Sequence, residues 1–263
     1  MELGSLVGLI LVFIGIFVGG IMKMGPDGLM LLFTVPAALL IVIVASMGAT
    51  MMSFKLPDSI GAIKVILKTF LPGAPLDRVG AIKRIVDFAT KARRDGILAL
   101  EAEMPKVEDP FLKKGLQMAI DGVDPDAVEE VLRTDIKAMK ARHKVGADWC
   151  QAMGIFSPTF GIIGAVFGLI ATMTHLDDPK ELAHGISAAF VATFWGVFMA
   201  NGLMLPFANK LKRLSGEEAQ FREMMLEGVL SIQAGKNPRV VEETLVTYLS
   251  PDERAQITSG AQP

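Results

Sequence analysis

The chain has 263 residues, 51% of them hydrophobic and 21% charged, with a mean hydropathy of +0.46 and a formal net charge of −2. This combination does not fit an ordinary soluble domain unless the charges are segregated, and the small negative charge makes nucleic acid an unexpected partner. A single cysteine, Cys150, excludes an internal disulfide, and the three histidines form no zinc-binding pattern, so we expect neither a metal nor a cofactor.

Four segments contain no Asp, Glu, Lys or Arg, and each is long enough to cross a bilayer as a helix, which takes roughly 18–20 residues. They are residues 3–22, 28–54, 149–174 and 185–209. The first segment does not resemble a cleaved signal peptide, because no basic residue precedes it and no small-residue cleavage motif follows it. The sequence therefore predicts an all-α, polytopic membrane protein with four transmembrane helices.

The basic residues indicate the topology. All lysines and arginines except Lys23 and Lys180 lie between residues 53 and 151 or after residue 209. Because cytoplasmic segments carry the excess of basic residues, both regions are expected in the cytoplasm. The connections 23–27 and 175–184 then lie outside, and both termini lie inside.

The expected organisation has four parts: transmembrane helices 1 and 2 in 1–54, a helical cytoplasmic insert in 55–148, transmembrane helices 3 and 4 in 149–209, and a cytoplasmic tail in 210–263. In the tail, helices are predicted over 217–234 and 240–248. Residues 250–263 are polar and bounded by prolines, and we expect them to be disordered.

Within the insert, apolar residues recur at helical spacing between residues 77 and 104, interrupted by a polar turn. A second amphipathic helix is predicted over 127–144, with Asp124 as its N-cap and Pro125 directly behind it. No segment alternates in the manner of a β-strand.

Small residues recur on single faces of three spans, a pattern typical of helices that pack closely in lipid. They are Gly4, Gly8, Gly15 and Gly19 in the first span, Gly154, Gly161 and Gly168 in the third, and Ala188, Ala192, Gly196 and Ala200 in the fourth. Most are expected to pack the chain's own helices, and the rest to serve contacts between subunits.

Four positions in the third and fourth spans are candidate functional residues. Pro158 and Pro206 each remove a backbone donor and are expected to disturb their helices near the cytoplasmic side, at similar depth. Thr159 and Thr193 supply hydroxyls in an otherwise apolar wall. The simpler alternative is that each threonine bonds to a carbonyl of its own helix.

The spans contain no ionisable group. An ion-coupled membrane protein normally needs one within its spans, to carry a proton or to bind a cation. Any titrating carboxylate on an ion path must therefore come from another polypeptide, and a channel or transporter that works alone is disfavoured.

A charged stretch at residues 91–101 is the second candidate site. Arg94 and Glu101, seven residues apart, would lie on nearly the same face of a helix, with Arg93 about 100° away. Such a face could orient a partner of complementary charge. An ordinary solvated helix face is the alternative.

Four motifs resemble the MotA stator subunits of the bacterial flagellar motor. They are RRDGILALE at 93–101, SPTFGIIGAVFG at 157–168, HGISAAFVATF at 184–194 and PFANKLK at 206–212. The resemblance extends from about residue 3 to residue 249 and matches the predicted topology.

The resemblance implies a force generator in the bacterial inner membrane rather than an enzyme. In that family, five copies surround a dimer of MotB, whose single transmembrane helix supplies the ion-binding aspartate. Ion passage turns the ring, and its cytoplasmic part pushes the rotor protein FliG. The lipid bilayer is the remaining partner.

The family's functional residues fall on matching positions of this chain. Its rotor-contacting arginine and glutamate match Arg93 and Glu101, and Arg94 is an added basic residue. Its two prolines match Pro158 and Pro206, and its fourth-span threonine matches Thr193. Sodium-driven relatives tend to have Thr where this chain has Ala165, which favours protons.

Two other functions remain open from the sequence. The related ExbB/TolQ subunits also form rings around a carboxylate-bearing partner, but they usually have one span before the cytoplasmic portion, where this chain has two. A non-conducting membrane scaffold is the second alternative.

Overall fold

A computed structural model of the chain describes residues 3–69 and 76–259, and every regular element in these ranges is helical. The chain divides into two compact units. The membrane unit comprises Met1–Gly73 and His143–Arg213, and the polar unit comprises Ala74–Arg142 and Leu214–Pro263. Four helices are long and apolar enough to cross a membrane, which agrees with the predicted all-α, four-span fold.

The first two spans differ from the predicted boundaries. The first is helical over Gly4–Met30, with a π-helical segment at Ile14–Val18 and a break at Gly25, whose φ of 75° is one that glycine adopts without strain. The second span is Pro36–Ser53, so it begins eight residues after the predicted start at residue 28. The intervening residues are as apolar as the spans, and their hydropathy therefore could not place the boundary.

The second span also contains a π-helical segment, and a further helix follows it. The span consists of an α-helical turn at Pro36–Leu39, π-helix at Leu40–Val44 and α-helix at Ala45–Ser53. The helix Leu56–Thr69 then completes this part of the membrane unit, with Ala62 packed against Trp149 and Cys150.

The third span belongs to a single helix of 49 residues, Pro125–Met173. Its residue count is more than twice the roughly 20 residues that a helix needs to cross a bilayer's hydrocarbon core. The carboxylate of Asp124 accepts a hydrogen bond from the Asp126 N–H at 3.0 Å, which confirms the predicted start. The predicted helix 127–144 and the third span are therefore not separate elements.

The fourth span is equally continuous with the tail. It consists of Pro179–Val197, a π-helical segment at Phe198–Met204, and the α-helix Leu205–Gln233. The helix begins at Asp178, whose side chain accepts a hydrogen bond from the Lys180 N–H at 2.8 Å. The tail helix predicted over 217–234 is thus the end of the fourth-span helix.

The third and fourth spans pack backbone against backbone through their small residues. A methyl group at Gly168 would lie 2.8 Å from the backbone nitrogen of Ala189, and one at Gly161 would lie 3.0 Å from the carbonyl oxygen of Ala192. This confirms that the glycines of the third span pack the chain's own helices. By contrast, Gly4, Gly8, Gly15 and Gly19 of the first span have no described atom within 4 Å of such a methyl.

The polar unit is a helical assembly around one apolar core. Its further helices are Arg78–Asp95, the 3₁₀-helix Ile97–Lys106, Pro110–Ile120, Pro238–Val246 and Pro251–Ser259. Asp77, Asp109 and Asn237 cap the N-termini of three of them by accepting backbone N–H hydrogen bonds. Fully buried side chains such as Ile85 and Leu132 form the core.

The prediction of disorder after residue 250 is wrong for residues 251–259, which form a helix. Ser250 and Glu253 form a reciprocal cap: the Ser250 N–H donates to Glu253 Oε2 at 2.9 Å, and the Glu253 N–H donates to Ser250 Oγ at 3.4 Å. Arg254 holds the preceding turn by donating to the carbonyl of Leu249 at 3.0 Å. The end of the predicted segment, residues 260–263, lies outside the described residues.

Because the third and fourth spans contact each other backbone to backbone, we expect a larger side chain at a contacting glycine to destabilise the protein, and one at a glycine elsewhere to have little effect. Gly168→Val should lower the midpoint of thermal unfolding of the detergent-solubilised protein by about 5 °C or more, because backbone atoms cannot move aside and overpacking costs about 1–3 kcal/mol. Gly48→Val is the matched control, since Gly48 lies in the second span with no described atom within 4 Å of an added methyl. Equal midpoints for the two variants would contradict the contact.

Candidate functional site

Two candidate sites emerge, one in each unit. In the membrane unit, Pro158 and Thr193 lie at one crossing of the third and fourth spans. A methyl group at Gly196 would lie 3.2 Å from the Cα of Pro158, and one at Gly161 would lie 3.5 Å from the Cα of Thr193. The absence of side chains at Gly161 and Gly196 therefore places Pro158 and Thr193 at the same close crossing of the two spans.

Pro158 does not interrupt its helix, which continues over Pro125–Met173. Proline has no N–H, so Pro158 cannot donate to the carbonyl of Gly154, one turn earlier. That carbonyl lies in the helical segment where Gly154 packs against Leu205. The expected disturbance is therefore a missing hydrogen bond rather than a break in the helix.

The third and fourth spans each present an exposed face beside this crossing. On each helix the face is a row of exposed or half-buried residues at intervals of three or four, mostly apolar. The row contains Ile155, Thr159, Ile162, Val166 and Ile170 on the third span, and Ile186, Phe190, Thr193, Val197 and Asn201 on the fourth. Half-buried Pro158 and Ala165, seven residues apart, stand between the exposed face of the third span and its packed glycines.

The hydroxyls on these faces are bonded differently. Thr193 Oγ1 donates to the carbonyl of Ala189 at 3.1 Å, so the simpler alternative considered for this residue is the observed state. Exposed Thr159 makes no hydrogen bond through its hydroxyl within residues 3–69 and 76–259. Because a hydroxyl in lipid needs a partner, Thr159 is suited to face another helix or water.

Pro206 lies outside this crossing. It follows the π-helical segment Phe198–Met204 and lines a groove between the first and fourth spans. Leu205, its neighbour, packs against Gly154, which lies four residues before Pro158. Pro158 itself lies beside Gly196, ten residues before Pro206 on the fourth span, so the prediction that the two prolines lie at similar depth is wrong, and within this chain they serve different surfaces.

The second candidate site is the turn around Gly96 in the polar unit. The prediction that Arg94 and Glu101 share a helical face is wrong, because Gly96, with a φ of 83°, ends the helix Arg78–Asp95. Glu101 belongs to the 3₁₀-helix Ile97–Lys106. Arg93, Arg94 and Glu101 are nonetheless all exposed.

The two arginines differ in their pairing. Arg94 makes two hydrogen bonds to the carboxylate of Asp95, at 2.9 and 2.8 Å, which raise the pKa of the guanidinium and lower that of Asp95. Arg93 and Glu101 make no ion pair within the part of the chain that the structure describes. Arg93 is thus the arginine whose charge is not already matched by a carboxylate.

A pair of ion bridges, which the sequence pattern did not indicate, fixes this turn. Glu103 accepts hydrogen bonds from Lys91 Nζ at 2.7 Å and from Lys106 Nζ at 2.8 Å. The hydrogen bonds from Lys106 and Lys91 lower the pKa of Glu103 to about 2. Lys91 lies on the preceding helix, so Glu103 joins the two helices that carry Arg93 and Glu101. No periodicity relates Lys91 to Glu103, because the chain turns between them.

Comparison with known proteins places this architecture in a family. Over 262 residues the chain is 40% identical to motility protein A of Bacillus subtilis, an alignment that covers 100% of this chain and 96% of the relative. The chain belongs to the motility protein A family. It is a flagellar stator subunit, and residues 103–224 match the model of the MotA/TolQ/ExbB proton channel family.

Solved structures agree with this assignment to the family. The flagellar MotAB stator complex of Bacillus subtilis matches with a TM-score of 0.87 and 39% identity, covering 96% of this chain and 98% of that one. MotAB of C. jejuni matches with a TM-score of 0.88 and 33% identity, covering 96% and 97%. These full-length matches favour the stator branch over the ExbB/TolQ alternative.

The ion bridges of Glu103 predict a pH dependence of the Gly96 turn. Because the pKa of Glu103 is lowered from its ordinary 4.5 to about 2, the bridges stabilise the turn above pH 4.5 and are lost as the pH falls towards 2. Glu103→Gln should therefore speed amide hydrogen exchange over residues 97–106 at pH 7. Glu101→Gln, which changes an exposed carboxylate without an ion pair, is the control, and equal exchange in the two variants would contradict the role of Glu103.

Proposed function

We propose that this chain assembles with a MotB-like single-span subunit and that together they conduct ions, converting ion flow into torque. The observation that supports this proposal is that residues 149–174 and 185–209 contain no Asp, Glu, Lys, Arg or His. These residues belong to the third and fourth spans, which pack against each other through their glycines and are called the glycine-packed pair. A conducting path through these spans then needs a carboxylate from the partner. The chain's own work is mechanical rather than catalytic.

In this proposal the exposed face of the third span, with Pro158 and Thr193 at the crossing, forms the wall against which the partner's helix lies. Val197 and Asn201 of the fourth span instead face the groove beside the first span. Ala165 on the edge of the third-span face and Thr159 within it belong to the same wall. Protonation of the partner's aspartate removes a charge that is costly in hydrocarbon. The neutral carboxyl then makes different contacts with the wall, and the ring advances to the next subunit. Pro206 contributes to the same movement from the groove side of the fourth span.

The Gly96 turn is the proposed contact with the rotor protein FliG. Arg93 and Glu101 are exposed and not paired with each other or with other described side chains. Charges held in this way direct encounter and orientation of a partner more than they add affinity. We infer that Arg93 outweighs Arg94, because Asp95 already neutralises Arg94.

The remaining parts of the proposal concern assembly and placement. The chain lies in the bacterial inner membrane with both termini in the cytoplasm, because the basic residues are concentrated on that side. The parts 55–148 and 210–263 are cytoplasmic, the parts 1–54 and 149–209 hold the spans, and five copies form the ring. Ala165, where a threonine is typical of sodium-driven relatives, favours protons as the ion.

The proline proposal is tested by Pro158→Leu and Pro206→Leu. Each should reduce swimming in soft agar by at least about tenfold, while membrane insertion and co-purification with the partner stay normal, since each restores a backbone donor that the wild-type helix lacks. Pro179→Ala is the control, because a proline at the first helical position breaks no hydrogen bond. A normally swimming strain that carries both leucine substitutions would exclude a functional role for the prolines.

The rotor contact is tested by reversing charges one at a time. Arg93→Glu and Glu101→Lys should each reduce swimming speed by about half or more, because like charges at an interface repel. Arg94→Glu should have the smaller effect, and reversed charges on FliG should restore part of the speed. If single and combined reversals all swim normally, the Gly96 turn is only a solvated surface.

A further inference from the structure

Three adjoining cavities separate the first span from the fourth. Their volumes are about 500, 430 and 390 Å³. The first and second share Val12 and Gly202, and the first and third share Ile16 and Phe194, so together they form one groove along the membrane unit. The groove extends from Gly4 to Gly28 of the first span.

The walls of the groove touch at a few points only. Phe13 and Phe17 of the first span contact Phe198 of the fourth, with ring centroids 5.6 and 5.9 Å apart. Between such contacts the first span presents Gly8 and Gly15, where an added methyl would meet no described atom within 4 Å. The result is a long, open and mostly apolar cleft.

The aromatic contacts limit what can occupy the groove. A transmembrane helix with its side chains is about 10–12 Å across, and the Phe13–Phe198 contact leaves no such space between the two spans. A flexible hydrocarbon chain can follow the gaps beside the glycines. The groove is open to its surroundings, which in a membrane-spanning unit are lipid.

One end of the groove is basic. The cavity at that end is lined by Ser5, Lys210 and Arg213, next to Pro206. We propose that the groove binds an anionic phospholipid, with an acyl chain between the first and fourth spans and its phosphate at Lys210 and Arg213. Basic side chains at the ends of transmembrane helices are suited to anionic headgroups. The basic end lies on the side where the lysines and arginines concentrate, which is the cytoplasmic leaflet.

The test uses the chain purified with its partner subunit in detergent and stripped of lipid. Native mass spectrometry measures the binding of phosphatidylglycerol and of phosphatidylcholine with the same acyl chains. Phosphatidylglycerol should bind at least about tenfold more tightly, and Lys210→Gln with Arg213→Gln should weaken it about 30-fold, from the usual contribution of two basic residues near a headgroup. Gly8→Leu should block both lipids by filling the groove, whereas Gly48→Leu in the second span should not.

The proposal is overturned if the double glutamine variant or Gly8→Leu binds phosphatidylglycerol like the parent, or if both lipids bind equally. A disulfide between two copies that carry Gly8→Cys in a Cys150→Ser background would also overturn it, because a second chain would then reach the groove. Thermal unfolding of each variant shows whether a loss of binding reflects a loss of fold.

Discussion

Placing one charged side chain at the centre of a bilayer costs about 3 kcal/mol on insertion scales, and this cost organises the whole chain. It separates the sequence into charge-free spans, all of which lie in the membrane unit, and charged segments, which form the polar unit and the remainder of the membrane unit. It also leaves residues 149–174 and 185–209 of the third and fourth spans without an ionisable side chain. In the proposed mechanism the partner supplies the titrating group, so conduction requires assembly with that partner.

A second consequence concerns how the spans hold together. Lipid is as apolar as leucine, so helices in a membrane associate through close packing rather than through burial from water. Gly161, Gly168 and Gly196 let the third and fourth spans approach at backbone distance. The first span lacks such contact along its glycines and meets the fourth mainly through Phe13, Phe17 and Phe198. The glycine-packed pair thus provides a firm support for Pro158 and Thr193, and the first span leaves a groove.

The sequence predicts those features that depend on composition and local spacing. The fold class, the number of spans, the Asp124 cap and the glycine packing follow from charge-free length and periodicity. The start of the second span does not, because residues 28–35 are as apolar as a span but lie outside its helix. The Gly96 turn and the Lys91–Glu103 bridge depend on the positive φ of Gly96, which ends the helix there. The residues after Gly96 therefore do not continue the helical faces of the residues before it. The sequence does not predict the final helix, because the residues that follow its cap, formed by Ser250 and Glu253, show little apolar periodicity. Only the three-dimensional structure shows that Arg93, Thr159 and Glu101 are exposed and that Arg94 pairs with Asp95.

The most direct measurement is proton flux into vesicles that contain this chain alone, the chain with its partner subunit, or the chain with a partner whose transmembrane aspartate is replaced by asparagine. A membrane potential in sodium-free buffer drives the flux, and a pH-sensitive dye inside the vesicles reports it. The account predicts flux only with the intact partner, because only that assembly has a carboxylate within the spans. Flux through the chain alone, or through the asparagine assembly, would contradict it.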